Sequence, residues 1–133
     1  LALFFKQVYF GLCFVWLVFT LTGTLPIIHA VVPQLRAKYA WSERLCHLLF
    51  CIVFKLCPWA RLDHVPSNDD WARVISDEAM KRGAVIMVNH TSYIDGFLFS
   101  ALTPFNVIAR TRTLMKSSLF SVPILGGVFT RLG

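Results

Sequence analysis

From Gln7 to Leu35 the chain carries no formal charge at all. A bilayer core needs about 20 residues of helix, so this uncharged span is long enough to cross one. Acidic side chains are scarce throughout, with 7 Asp and Glu against 13 Lys and Arg and a net charge of +6. Such a surplus suits nucleic acid, anionic lipid or phosphorylated substrates. The chain has no basic run interleaved with aromatics and no known nucleic-acid module. Lipid and phosphate partners therefore fit it, and nucleic acid does not. The four cysteines, Cys13, Cys46, Cys51 and Cys57, lack the two-residue spacing typical of zinc pairs. They read as small apolar side chains, and no metal is expected. There is no internal repeat, no low-complexity segment and no nucleophile-elbow pattern of a serine hydrolase.

What is abundant is apolar surface. Hydrophobic residues make up 56% of the 133 positions, 12 of them Phe and 4 Trp, where soluble domains hold roughly 45–50%. The length allows one domain plus an anchor. Phe4, Phe5, Tyr9, Phe10, Trp16 and Phe19 load the first half of the uncharged span with aromatics, and Pro26 falls inside it. A kink or a helix end is expected there, with Thr20, Thr22 and Thr24 placed to bond loosened carbonyls. Arg36, Lys38 and Arg44 follow the span and only Lys6 precedes it, which puts its C-terminal side in the cytosol.

A second apolar stretch, residues 45–60, is interrupted by His47 and Lys55. It reads as an interfacial or re-entrant helix anchored by Trp41 and Trp59 and ended by Pro58. The linker after it closes with Pro66-Ser67-Asn68-Asp69-Asp70, where Ser67 and Asp70 have the spacing of a capping box. Trp71, Val74, Ile75 and Ala79 then mark one face of a helix, with Gly83 as its C-terminal cap.

The run Ala84-Val85-Ile86-Met87-Val88 reads as a buried strand, and Phe97, Leu98, Ala101 and Leu102 mark a helix beyond it. Between them stands Asn89-His90-Thr91-Ser92-Tyr93-Ile94-Asp95-Gly96. His90 and Asp95 would point ~140° apart inside one regular helix. They can meet only if His90 sits at or before the N-cap and turns back over the first turn. There a carboxylate fixes the imidazole tautomer and leaves the other ring nitrogen free as a base. Phe105-Asn106-Val107-Ile108-Ala109 is a second strand candidate, followed by Arg110, Arg112, Lys116 and Pro123-Ile124-Leu125-Gly126. Alternating strands and helices predict an α/β layered domain.

These residues resemble the His-x-x-x-x-Asp block of the glycerolipid acyltransferases, most closely the 1-acylglycerol-3-phosphate acyltransferase family. Strand, Asn-His-x-Ser-x-x-Asp, strand, a Lys-containing stretch and Pro-x-x-Gly follow in the family's order across roughly the C-terminal half. The resemblance implies His90 as general base and Asp95 as its orienting partner, with no metal or prosthetic group. Acyl-CoA would be the co-substrate and lysophosphatidate the acceptor, giving phosphatidate, with another lysophospholipid or glycerol 3-phosphate as the alternative acceptor, at a membrane such as the endoplasmic reticulum. Asn89 and Ser92 would support the His90 loop, while Arg110, Arg112 and Lys116 are candidates to contact phosphates. Gly126 and Gly127 read as serving a turn rather than a phosphate cradle.

The expected organisation is a transmembrane anchor over 1–35, an interfacial helix and linker over 36–66, and the N-terminal part of the acyltransferase domain over 67–133. The family's next block, a Gly followed by an Arg, would open at Gly133, and Arg131 comes two residues too early for it. The later Glu-Gly-x-Arg block has no counterpart, and the chain starts at Leu1, so an internal piece of a longer protein is expected. The competing reading is a non-catalytic membrane protein that keeps the fold's beginning as an anchor or interaction module.

Overall fold

The structure, a computed structural model, describes residues 1–59, 66–75, 81–83, 85–87 and 93–132. Helix α1, Ala2–Val31, takes in nearly the whole uncharged span. It runs through Pro26 instead of ending there. The Thr20, Thr22 and Thr24 hydroxyls donate one turn back, to the carbonyls of Trp16 (2.9 Å), Val18 (2.7 Å) and Thr20 (2.7 Å). Their polar atoms are thereby satisfied within the helix, as an apolar surrounding requires. Leu17, Leu21 and Leu25, one per turn, form its buried stripe. Phe4, Phe5, Leu12, Trp16, Phe19 and Ile27 stand exposed on the rest of its surface.

Helix α2, Leu35–Leu56, starts ahead of the second apolar stretch and ends before Pro58, with Cys57 as cap. It runs back along α1. His29 of α1 meets Ser42 and Tyr39 near one end of the pair, and Tyr9 meets the Trp59 ring at 5.2 Å beyond the other. Between those ends Cys46, Leu49, Phe50 and Val53 close over the leucine stripe. A fully buried leucine contributes about 1.5–3 kcal/mol, so this seam is the main support of the hairpin.

Helix α3, Asn68–Val74, opens with the expected capping box. The Ser67 hydroxyl accepts from the Asp70 N–H (3.2 Å), and Asp70 Oδ2 accepts from the Ser67 N–H (2.9 Å). The chain turns extended at Ile75 (φ −126°, ψ 90°), so the helical face foreseen through Ala79 leaves the described residues there. Lys81 and Arg82 are helical and Gly83 has φ 87°, the left-handed geometry of a helix cap.

The expected α/β layering is not seen: among the described residues there is no strand. Of the first strand candidate, residues 85–87 form no ladder, and Val85 and Met87 are 89% and 90% exposed. The second, residues 105–109, is corrected outright. Phe105–Ile108 is a short helix, α5 in chain order after α4, Tyr93–Leu102. Pro104 is its N-cap, and its carbonyl takes the N–H groups of both Val107 and Ile108 at 2.9 Å. A short unbroken apolar run looks the same whether it is a buried strand or a buried helical turn. Here Val107, Ile108 and Ala109 are buried, and α5 packs on α2. A 3₁₀ turn, Ser117–Ser121, leads to α6, Leu125–Leu132. Val128 and Leu132 of α6 complete the core around the leucine stripe.

Candidate active site

Helix α4 carries Asp95, half-buried in its first turn. His90, Asn89 and Ser92 lie outside the described residues. What the structure does supply is the mounting of the helix that bears the acid. The Phe97 ring stacks on Phe50 of α2 at 4.8 Å and touches Phe14 of α1 at 5.2 Å. The C-terminal carbonyls of a helix lack partners within it. Here Thr103 donates to the Phe99 carbonyl through both its N–H (3.0 Å) and its hydroxyl (2.6 Å). His47 Nδ1–H donates to the Ser100 carbonyl at 2.6 Å, and Cys51 Sγ donates to the Ala101 carbonyl at 3.3 Å. Because a carbonyl only accepts, the proton of neutral His47 is fixed on Nδ1, leaving Nε2 as the lone-pair nitrogen.

These contacts seat α4 on the middle of α2: Phe97 lies against Phe50, Ser100 against His47 and Ala101 against Cys51. The three basic candidates follow α5 instead. Arg112 has its guanidinium 5.0 Å over the Tyr39 ring and donates to the Thr111 carbonyl at 2.6 Å. Arg110 and Lys116 are both exposed, Arg110 in the turn after α5 and Lys116 as N-cap of the 3₁₀ turn.

The Pro-x-x-Gly element is a tight turn. Ile124 holds φ 68°, an uncommon and strained conformation for a β-branched residue, and the Gly126 N–H donates to the Val122 carbonyl at 2.8 Å. A Cβ on Gly126 would stand 2.7 Å from the carbonyl carbon of Phe120 and overlap its oxygen. Gly126 is there because two backbones touch.

Two groups were not legible as special beforehand. Glu43 is only 9% exposed, and burial pushes its carboxyl up to about 7 against the pull of the Arg112 charge. His29 bridges three helices, its Nε2 lying 3.0 Å from the Arg131 carbonyl and 3.3 Å from the Ser42 hydroxyl. Both positions look like ordinary letters in an amphipathic or apolar helix, and only the partners contributed by distant segments distinguish them. All four thiols are free, and burial raises Cys46 and Cys51, which leaves them neutral. Among the described residues no cluster of His, Cys, Asp and Glu is arranged to hold a metal ion.

Asp95 thus stands in the first turn of a braced helix, and α1 is long and apolar enough to cross a membrane. The comparison with protein families carries this further: the acyltransferase family model matches residues 62–133, more than half of the chain. The chain belongs to the acyltransferase family. No curated protein and no solved structure matches it.

Proposed function

We propose that this chain belongs to a membrane-bound enzyme that moves an acyl group from acyl-CoA to the free hydroxyl of lysophosphatidate, giving phosphatidate. The observation that carries the reading is the family match over residues 62–133, which contains the whole Asn-His-x-Ser-x-x-Asp motif. In this reading His90 takes the hydroxyl proton and Asp95 orients its imidazole and stabilises the cation that forms. The oxyanion of the tetrahedral intermediate needs donors fixed in advance. The N-terminal N–H groups of α4 are unpaired within the helix and suited to that task. Asn89 and Ser92 brace the His90 loop, and the exposed Arg110, Arg112 and Lys116 meet the phosphates of coenzyme A or of the lipid acceptor. The chemistry uses no metal or prosthetic group.

The antiparallel hairpin bears on how the enzyme meets lipid. Were α2 to cross the bilayer beside α1, Arg36, Lys38, Glu43, Arg44 and Lys55 would enter hydrocarbon. Charges at the centre of a membrane helix cost ~2.5–3.5 kcal/mol each on insertion scales. We therefore place the aromatic outer face of α1 in the leaflet and α2 on its cytosolic side, at the endoplasmic reticulum. The catalytic motif then also faces the cytosol, where acyl-CoA is made.

The test is acyl transfer by the full-length protein in membranes, offered acyl-CoA with lysophosphatidate, glycerol 3-phosphate or other lysophospholipids. Phosphatidate as the dominant product supports the reading. Preference for another acceptor keeps the chemistry and replaces the substrate, and no transfer to any of them favours the anchor or interaction reading.

A further inference from the structure

From Arg110 to Ile124 no side chain is buried, although Leu114, Met115, Leu119, Phe120, Val122 and Ile124 are large and apolar. Leu114 stands wholly in the open and Ile124 is 57% exposed. Single apolar side chains on a surface are ordinary, but a run of them this dense marks a contact surface. The same stretch is basic. From Gly96 onward the sequence holds Arg110, Arg112, Lys116 and Arg131 and neither Asp nor Glu. Arg110, Arg112 and Lys116 flank Leu114 and are exposed. Arg112 lies within reach of the Glu43 charge, but that carboxyl is buried on α2 and takes no part in the outer surface.

Both ends of the stretch are fixed to the helical hairpin. Before it, α5 packs on α2, and the Arg112 guanidinium lies over the Tyr39 ring. After it, α6 packs on α1, and Ile124 faces Thr22 and Pro26 across a narrow cleft. Those two stand three and seven positions beyond the exposed Phe19 and share its face of α1. The apolar run therefore continues the outer face of the one described helix apolar enough to enter a membrane.

We propose that the stretch from Arg110 to Ile124 is a second membrane contact. Leu114, Phe120, Val122 and Ile124 enter the boundary between headgroups and acyl chains of an anionic leaflet, and Arg110, Arg112 and Lys116 lie against its phosphates. This rests on the placement of α1 in the leaflet proposed above and adds the surface by which the catalytic part lies on it. Charge selects this occupant. Cations without an acid among them, set around apolar side chains, match a layer of phosphate over hydrocarbon, and interfacial segments bind anionic lipid in this way. An acceptor lipid in that surface brings its own phosphate to the same cations, so the contact agrees with their part in the reaction.

The experiment uses full-length protein in vesicles of phosphatidylcholine, alone or mixed with phosphatidylserine. The photo-cross-linker benzoylphenylalanine replaces Leu114, Phe120 or Phe19 in turn, and the adducts formed on irradiation are identified by mass spectrometry. Lipid adducts are expected from all three positions. Those from positions 114 and 120 should rise roughly fivefold when phosphatidylserine is present, as for the attraction of one cation to a charged surface. Leu114→Asp should cut the lipid adduct of the probe at position 120 by a similar factor. Because Leu114 is fully exposed, the melting temperature of that variant should stay that of wild type. Lipid adducts at position 19 alone, with adducts to another segment of the chain or none at 114 and 120, overturn the proposal and leave the placement of α1 standing. Adducts at 114 and 120 that ignore phosphatidylserine overturn it as well. No lipid adduct at any of the three positions overturns the placement of α1 with it.

Discussion

Replacing Glu43 by Gln isolates the effect of one buried charge. The carboxyl ordinarily titrates near 4.5 and is pushed up to about 7 here, chiefly because burial disfavours its ionised form. Below the ordinary value it is protonated whether the chain is folded or not. Between 4.5 and about 7 the folded protein keeps a proton that the unfolded chain gives up, so stability falls as pH rises through that window. At ~1.36 kcal/mol per pH unit the full loss is about 3 kcal/mol. In a domain of this size that is on the order of 10 °C in melting temperature. Gln keeps the shape and removes the titration. Thermal unfolding of full-length wild type and Glu43→Gln in detergent, followed by tryptophan fluorescence near pH 5 and near pH 8, reads the difference directly. The variant should gain on wild type by several degrees between the two conditions, whatever the amide itself contributes at either. An equal offset at both pH values would mean that the Glu43 carboxyl is not desolvated, and would refute the reasoning.

Gly126→Ala should destabilise by about 1–3 kcal/mol, because the new methyl meets the Phe120 backbone and the 3₁₀ turn must move. Ile124→Gly should stabilise by about 1 kcal/mol through relief of the positive φ. Opposite signs in paired melting curves are the check. His47→Ala should lower stability by about 1–2 kcal/mol, since the Ser100 carbonyl at the end of α4 loses its donor. His47→Gln, which keeps an N–H at similar reach, should recover part of that loss, and identical melting of the two variants would count against the contact.

What the sequence showed depended on whether a signal was local. The uncharged span became α1, and Ser67 and Asp70 announced the start of α3 because a capping box is closed within four residues. Pro58 marked the end of α2 for the same reason. The run from Phe105 to Ala109 misled, since an unbroken apolar stretch carries no period, and burial against α2 rather than propensity decided for a helical turn. That Arg112 lies over the Tyr39 ring could not be read in advance, because it depends on a helix 73 positions away. His47 and Ser100, 53 positions apart, are likewise joined only by the fold. The His90–Asp95 pair is read from its motif alone, since only Asp95 falls among the described residues.

The account stands on the base at position 90. Transfer of a labelled acyl group from acyl-CoA to lysophosphatidate, measured on full-length wild type and His90→Ala in membranes at matched expression, tests it most directly. Phosphatidate formation should disappear in the variant while its amount and membrane association stay those of wild type. Wild-type-like transfer by His90→Ala would contradict the account.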